Sequence, residues 1–175
     1  MIWTRPYSWT QLRQTAGAID LAPDGETRAA IAAELGIEAL PELTARILAR
    51  PWLDGVEVEG ALKAIVTYLC GVSLDPFDAA IEDVFTLRLL PAGSPNASPA
   101  DGAEVDVDLE ADDPPDLVEG GGPDLAQVVV EHLALNLDPF PRAPGVAFEA
   151  PEQPPETSPF AALAALKPKT PDPKA

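Results

Sequence analysis

The sequence predicts an α+β fold: an antiparallel, strongly twisted β-sheet, barrel-like in its curvature, packed with two main helices and followed by a disordered C-terminal tail. Three observations predict it. Residues 43–49, 56–69 and 77–90 alternate apolar and polar with period two, the pattern of a sheet with one wet face. Residues 25–36 and 124–137 instead carry helix starts and stops at their ends. Residues 150–175 hold seven prolines, a composition that does not build a packed core.

The elements follow in order. Residues 1–9 are extended and aromatic (Trp3, Tyr7, Trp9), and Pro6 holds them out of a helix. Ser8 and Gln11 have capping-box spacing, which predicts a helical turn over 9–15. Residues 18–22 read as a short strand, broken by Pro23-Asp24-Gly25. The run GETRAAIAAELG is rich in Ala and Glu, sets Ile31 and Leu35 one turn apart, and stops at Gly36. From Pro41 the period becomes two. Strands over 43–49 and 56–69 flank a turn at Trp52-Leu53-Asp54-Gly55. In the second of them Val56, Val58, Leu62, Val66 and Tyr68 alternate with Glu57, Glu59, Lys63 and Thr67. Residues 73–76 turn the chain into a third strand over 77–90, with Glu82, Thr86 and Arg88 on one side. Short turns between successive strands imply an antiparallel meander.

A Pro/Ser/Ala-rich loop covers 91–103. Residues 104–110 then alternate cleanly. Val105, Val107 and Leu109 face in, and Glu104, Asp106, Asp108 and Glu110 face out, as suits a charged edge strand. Gly120-Gly121-Gly122 reads as a hinge before the 124–137 helix. Asp124 can accept the free amides of that helix's first turn, and Pro139 and Pro141 end it near Leu137. The run Val128-Val129-Val130 favours a strand by propensity, against the cap and the length of the segment.

Length and charge bound the function. With 175 residues, 46% of them apolar, the chain suits one domain over 1–149 and a tail over 150–175 carrying a short helical motif at 158–167. Its net charge is −18, with 29 acids against 11 bases. That balance opposes nonspecific binding to nucleic acid or anionic membrane and favours a basic partner. One cysteine forms no internal disulfide, which suits a reducing cytoplasm. MIWTRPYSW lacks the apolar run of a secretory signal, and no stretch approaches the ~20 apolar residues of a membrane span. The expected location is the cytoplasm.

No enzyme chemistry is legible. His132, the one histidine, has no second histidine or nucleophile motif beside it. Cys70 ends an apolar strand and reads as a small core residue. The acidic run lacks the spacing and central glycine of a calcium loop. There is no dinucleotide, Walker, GxSxG or HExxH motif. No catalytic residue, metal or cofactor is expected.

Three stretches in order, LCGVSLDPFDAAIEDVF at 69–85, DLAQVVVEHLALNLDPFPRAPG at 124–145 and SPFAALAALK at 158–167, resemble the signature of the YceD family. These are the large ribosomal RNA subunit accumulation proteins of bacteria and plastids. The opening WTRPYSWTQL and the segment LAPDGETRAAIAAELGIEALPELTARILA resemble the family as well. Its motif positions here are Cys70, Pro76, Phe77, Asp124, Leu125, Glu131, Leu135, Leu137 and Pro141, in structural roles. The resemblance decides the 128–130 run for helix. Many members carry Cys-x-x-Cys where this chain has Cys70-Gly71-Val72-Ser73, so a zinc or disulfide role is not expected. The resemblance implies a requirement for normal accumulation of large-subunit ribosomal RNA, and so a part in ribosome biogenesis. In the family the gene commonly neighbours that of a small basic large-subunit protein.

Between Arg88 and Arg142 there is no Lys or Arg, while twelve acids fall in that span. Glu104, Asp106, Asp108, Glu110, Asp112, Asp113, Asp116 and Glu119 form the expected surface for a basic large-subunit ribosomal protein or a pre-ribosomal particle. Direct RNA binding would need Arg5, Arg13, Arg46, Arg50 and Lys63 gathered on one face. A ribosomal RNA hydrolase would need clustered carboxylates or a histidine pair in a pocket. In the tail, Phe160, Leu163 and Leu166 make an apolar stripe. It suits either docking on the chain's own domain or recognition of another protein.

Overall fold

The computed structural model describes residues 2–97 and 114–148. Its frame comes from the period-two segments. β2 (Ala39–Trp52), β3 (Gly55–Leu69) and β4 (Pro76–Pro91) pair antiparallel in sequence order. Leu53 and Asp54 form the two-residue turn between the first two, opposite the Trp52–Gly55 pair. β1 (Ile19–Leu21) adds antiparallel to β2, and β5 (Asp116–Val118) adds to β4 in parallel. The sheet is therefore five-stranded, mixed and open, with order β1-β2-β3-β4-β5. This corrects the expectation of an antiparallel, barrel-like sheet. The edge strands have three residues each and lie at opposite sides, so they cannot pair to close it. The long connection after β4 lets β5 return in the same direction, as parallel pairing requires.

β2 starts at Ala39, before the predicted 43, and runs through Pro41. The register shifts between Ala39 and Glu42. Such an irregularity relieves proline of the ladder bond it cannot donate.

α1 (Trp9–Gln14) starts at the predicted box. Gln11 N donates to Ser8 Oγ at 3.2 Å, and Ser8 N donates to Gln11 Oε1 at 2.8 Å. α2 (Gly25–Leu35) is capped by Asp24, which accepts from Thr27 N at 2.8 Å, and it ends at Gly36 with φ 68°. α3 (Leu125–Leu135) stops slightly before the predicted 137, at Asn136. α2 lies on β2, and α3 lies on β3 and β4. Between these layers the inward residues of the sheet (Leu43, Ile47, Val58, Leu62, Val66, Phe85 among them) meet Leu125, Val129 and Leu133 of α3. Each such side chain, once buried, stabilises the fold by about 1.5–3 kcal/mol.

Residues 120–122 are not the hinge that their composition suggests. Tyr7 N donates to Pro123 O at 3.0 Å, and Trp9 N donates to Gly121 O at 3.2 Å. Arg5 N donates to Asp124 Oδ1 at 2.9 Å, and Pro6 and Asp124 form a β-bridge. The N-terminal segment thus clasps the entrance to α3. Gly122 allows that close approach: at φ 148° it leaves no room for a Cβ beside the Tyr7 carbonyl. The predicted acidic strand at 104–110 and the tail motif at 158–167 lie outside the described residues.

Candidate functional site

Two surfaces sit at opposite ends of the long strands. β3 alone, with 15 residues, separates them by on the order of 45 Å.

The first is the end at the β2–β3 turn, next to β5. Beside the β2–β3 turn, Ser94 Oγ and Asn96 Nδ2 both donate to Asp54 Oδ1 at 2.8 Å. β5 lies beside this end of β4, with Asp116 opposite Leu89. Asp116 and Glu119 are exposed. Glu104, Asp106, Asp108, Glu110, Asp112 and Asp113 lie outside the described residues.

The bases are dispersed. Arg46, Arg50 and Lys63 share the solvent face of the sheet, but each stands against a carboxylate. Arg46 is 3.8 Å from Asp20, Arg50 is 2.8 Å from Glu59, and Lys63 is 2.8 Å from Glu82. Arg88 pairs with Glu57 at 3.2 Å and lies over the Trp52 ring. Arg13 is turned to the β2–β3 turn, donating to the carbonyls of Leu53 and Gly55. Arg5 belongs to the N-terminal clasp. Interleaved pairs of this kind cancel at a distance and, among the described residues, make no continuous basic face.

The second surface lies at the β3–β4 turn, where the 69–85 and 124–145 stretches meet. Gly71 N donates to Pro141 O at 2.9 Å, and Asp138 N donates to the Tyr68 hydroxyl at 3.1 Å. These bonds hold the 136–145 segment against the turn and leave a groove of about 480 Å³ beside it. Leu35, Ile37, Tyr68, Leu69, Leu137 and Pro141 give it apolar walls. Glu38 and Asp138 are its charged members, and among the described residues no base lines it. Large apolar side chains stand in water in the segments around it: Leu74 is 73% exposed, on backbone at φ 62°, Leu135 is 79% exposed and Phe140 81%. Left-handed backbone at a bulky residue is uncommon and costs about 1–3 kcal/mol, so it persists only where the surroundings impose it.

The family-motif residues divide accordingly. Asp124 caps α3, accepting from Ala126 N at 3.0 Å and Gln127 N at 3.2 Å. Leu125 is fully buried, while Glu131 is exposed and accepts from Gln127 Nε2 at 2.8 Å. Leu137 and Pro141 line the groove. Pro76 opens β4 opposite Leu69, and the Phe77 ring meets Tyr68 at 5.9 Å.

Cys70 is buried at this turn, as expected, but its sulfur is not a bare core atom. Ser73 N donates to Sγ at 3.5 Å and Ala143 N at 3.4 Å. The Ser73 amide first, and then the Ala143 amide, hold the thiol below its ordinary value of 9.0, at about 6. A pKa lowered by folding stabilises above the unfolded value and loses that contribution as pH falls through the folded value. The melting temperature of the native chain, relative to Cys70→Ser, is therefore expected to rise from pH 6 to pH 9. A flat difference in thermal scans at pH 6, 7.5 and 9 would show that the sulfur stays neutral.

Sequence reasoning missed the partner of His132. Its Nδ1 lies 3.1 Å from Asp83 Oδ2, and its ring stacks on Phe85 at 3.7 Å. Phe85 in turn covers Gly60, where a Cβ would run into the ring. The signal was present: Asp83 falls on the inward phase of β4, between Ile81 and Phe85. An acid on an apolar phase calls for a buried partner, and α3 supplies it. Among the described residues no three His, Cys, Asp or Glu side chains group as a metal site, and no helix is long and apolar enough to cross a membrane.

A family model described as "Large ribosomal RNA subunit accumulation protein YceD" matches residues 58–167, well over half of the chain. No curated protein and no solved structure matches it.

Proposed function

Since the chain belongs to the YceD family, the large ribosomal RNA subunit accumulation proteins, we propose that it supports that accumulation in the cytoplasm by binding and without catalysis. Its acidic end holds a basic large-subunit ribosomal protein, alone or on a precursor particle. One observation carries this reading: twelve acids and no base between Arg88 and Arg142. Opposite charge speeds encounter and rejects wrong partners, and ribosomal proteins are basic. The pairing of Arg46, Arg50 and Lys63 with carboxylates favours a protein partner over RNA. The one histidine is occupied by Asp83 and Phe85, which favours binding over hydrolysis.

The test is an affinity pull-down of the tagged full chain from bacterial lysate, with and without ribonuclease, read by mass spectrometry. A basic large-subunit protein is expected among the captured proteins, and it is expected to stay after ribonuclease treatment. Loss of all ribosomal material on ribonuclease treatment would mean that RNA is the ligand or the bridge, and the charge argument would fall.

A further inference from the structure

We propose that the groove at the β3–β4 turn is the seat of this chain's own tail motif, with Phe160, Leu163 and Leu166 packed between the end of α2 and the 134–141 segment. The proposal does not depend on which partner the acidic end takes. The groove mixes apolar side chains with polar groups in its walls and is open to water, a surface that an amphipathic helix covers with residues one turn apart. Phe160, Leu163 and Leu166 have that spacing, and Ser158-Pro159 reads in the sequence as a helix start.

Three further observations select this occupant. The family match does not stop with the sheet and helices. It runs to residue 167, one past Leu166, so the sequence shared by the family includes the motif together with β3, β4 and α3. The described chain ends at Phe148, seven residues beyond Pro141 in the groove wall. Phe160 lies twelve positions after Phe148, a reach of at most about 40 Å. A tether of this length sets an effective concentration in the millimolar range, so even a contact with a dissociation constant of ~1 mM would be about half formed. The charges also match. Glu38 and Asp138 border the groove without a base among the described residues, and Lys167 and Lys169 follow the stripe directly.

The experiment is Phe160→p-benzoylphenylalanine in the full chain, irradiated at low micromolar concentration and mapped by digestion and mass spectrometry. Cross-links within one chain to residues 35–38, 68–69 or 134–141 are expected, with a yield independent of protein concentration. Adding Leu163→Asp and Leu166→Asp is expected to lower that yield at least tenfold. Leu69→Glu is expected to lower it too, and because Leu69 is half exposed at a strand end, the change leaves the fold intact. Cross-links to other surfaces only, none at all, or cross-links between chains that grow with concentration would each overturn the proposal.

Discussion

Gly122→Ala is expected to destabilise the chain by roughly 3–5 kcal/mol, a large part of the ~5–15 kcal/mol that holds a domain of this kind together. Two costs add. A side chain at φ 148° is strained by about 1–3 kcal/mol. The new Cβ would also overlap the Tyr7 carbonyl oxygen and come to 3.0 Å from Trp9 N, and neither backbone group can yield like a side-chain tip. Overpacking of this sort costs about 1–3 kcal/mol more. Relief by separation would break the Tyr7–Pro123, Trp9–Gly121 and Arg5–Asp124 hydrogen bonds. It would also loosen the seats of Trp3 and Leu12, both core residues. The melting temperature should fall on the order of 10 °C, at ~2–4 °C per kcal/mol for a chain of this size. Gly121→Ala is the control. A Cβ at Gly121 meets nothing within 4 Å and its φ is not positive, so the change should stay within about 0.5 kcal/mol. Equal melting temperatures for the two variants would show that residues 120–122 are a hinge after all.

Reversing Asp106, Asp108, Asp112 and Asp113 together to Lys is expected to weaken a basic partner at least a hundredfold, about 2.7 kcal/mol. Each reversal changes the charge by two, so the net charge moves from −18 to −10, all of it within one short stretch. Losses from exposed charges fall mainly on the association rate and shrink as salt rises. Melting temperature should stay nearly constant, because the sequence places these carboxylates in water. Binding that survives the reversal at physiological salt would end the acidic-surface reading. A gain in RNA affinity by the same variant would fit the reading, since four lysines supply the phosphate contacts that the native segment lacks.

Much of the fold was legible because its signals are local. The Ser8–Gln11 box, the Gly36 stop and the Asp124 cap act over three or four residues, and chain neighbours alone specify them. The alternation over 56–69 and 77–90 likewise announced which side chains of β3 and β4 face the helices, and the motif order announced the family. Pro41 was harder. It reads as a boundary, and only the register shift against β3 lets the strand pass through it.

What escaped the sequence are meetings between residues far apart in the chain. The sheet stays open, and β5 runs parallel to β4, because of where a long connection brings the chain back. Asp83 finds His132, Tyr7 rests on Gly122, and Ala143 donates to Cys70 only after folding. The groove itself has walls from three separate segments, at 35–38, 68–69 and 134–141. By itself, then, the sequence determined the helices and their caps, the long strands and their inward faces, the family and the acidic stretch. The tertiary structure alone decided the edges of the sheet, the clasp at Gly122 and the groove at the β3–β4 turn. The physical reason is range. Capping and periodicity are settled among neighbours, whereas an edge, a clasp or a groove exists only when the packing of the whole core brings distant segments into contact.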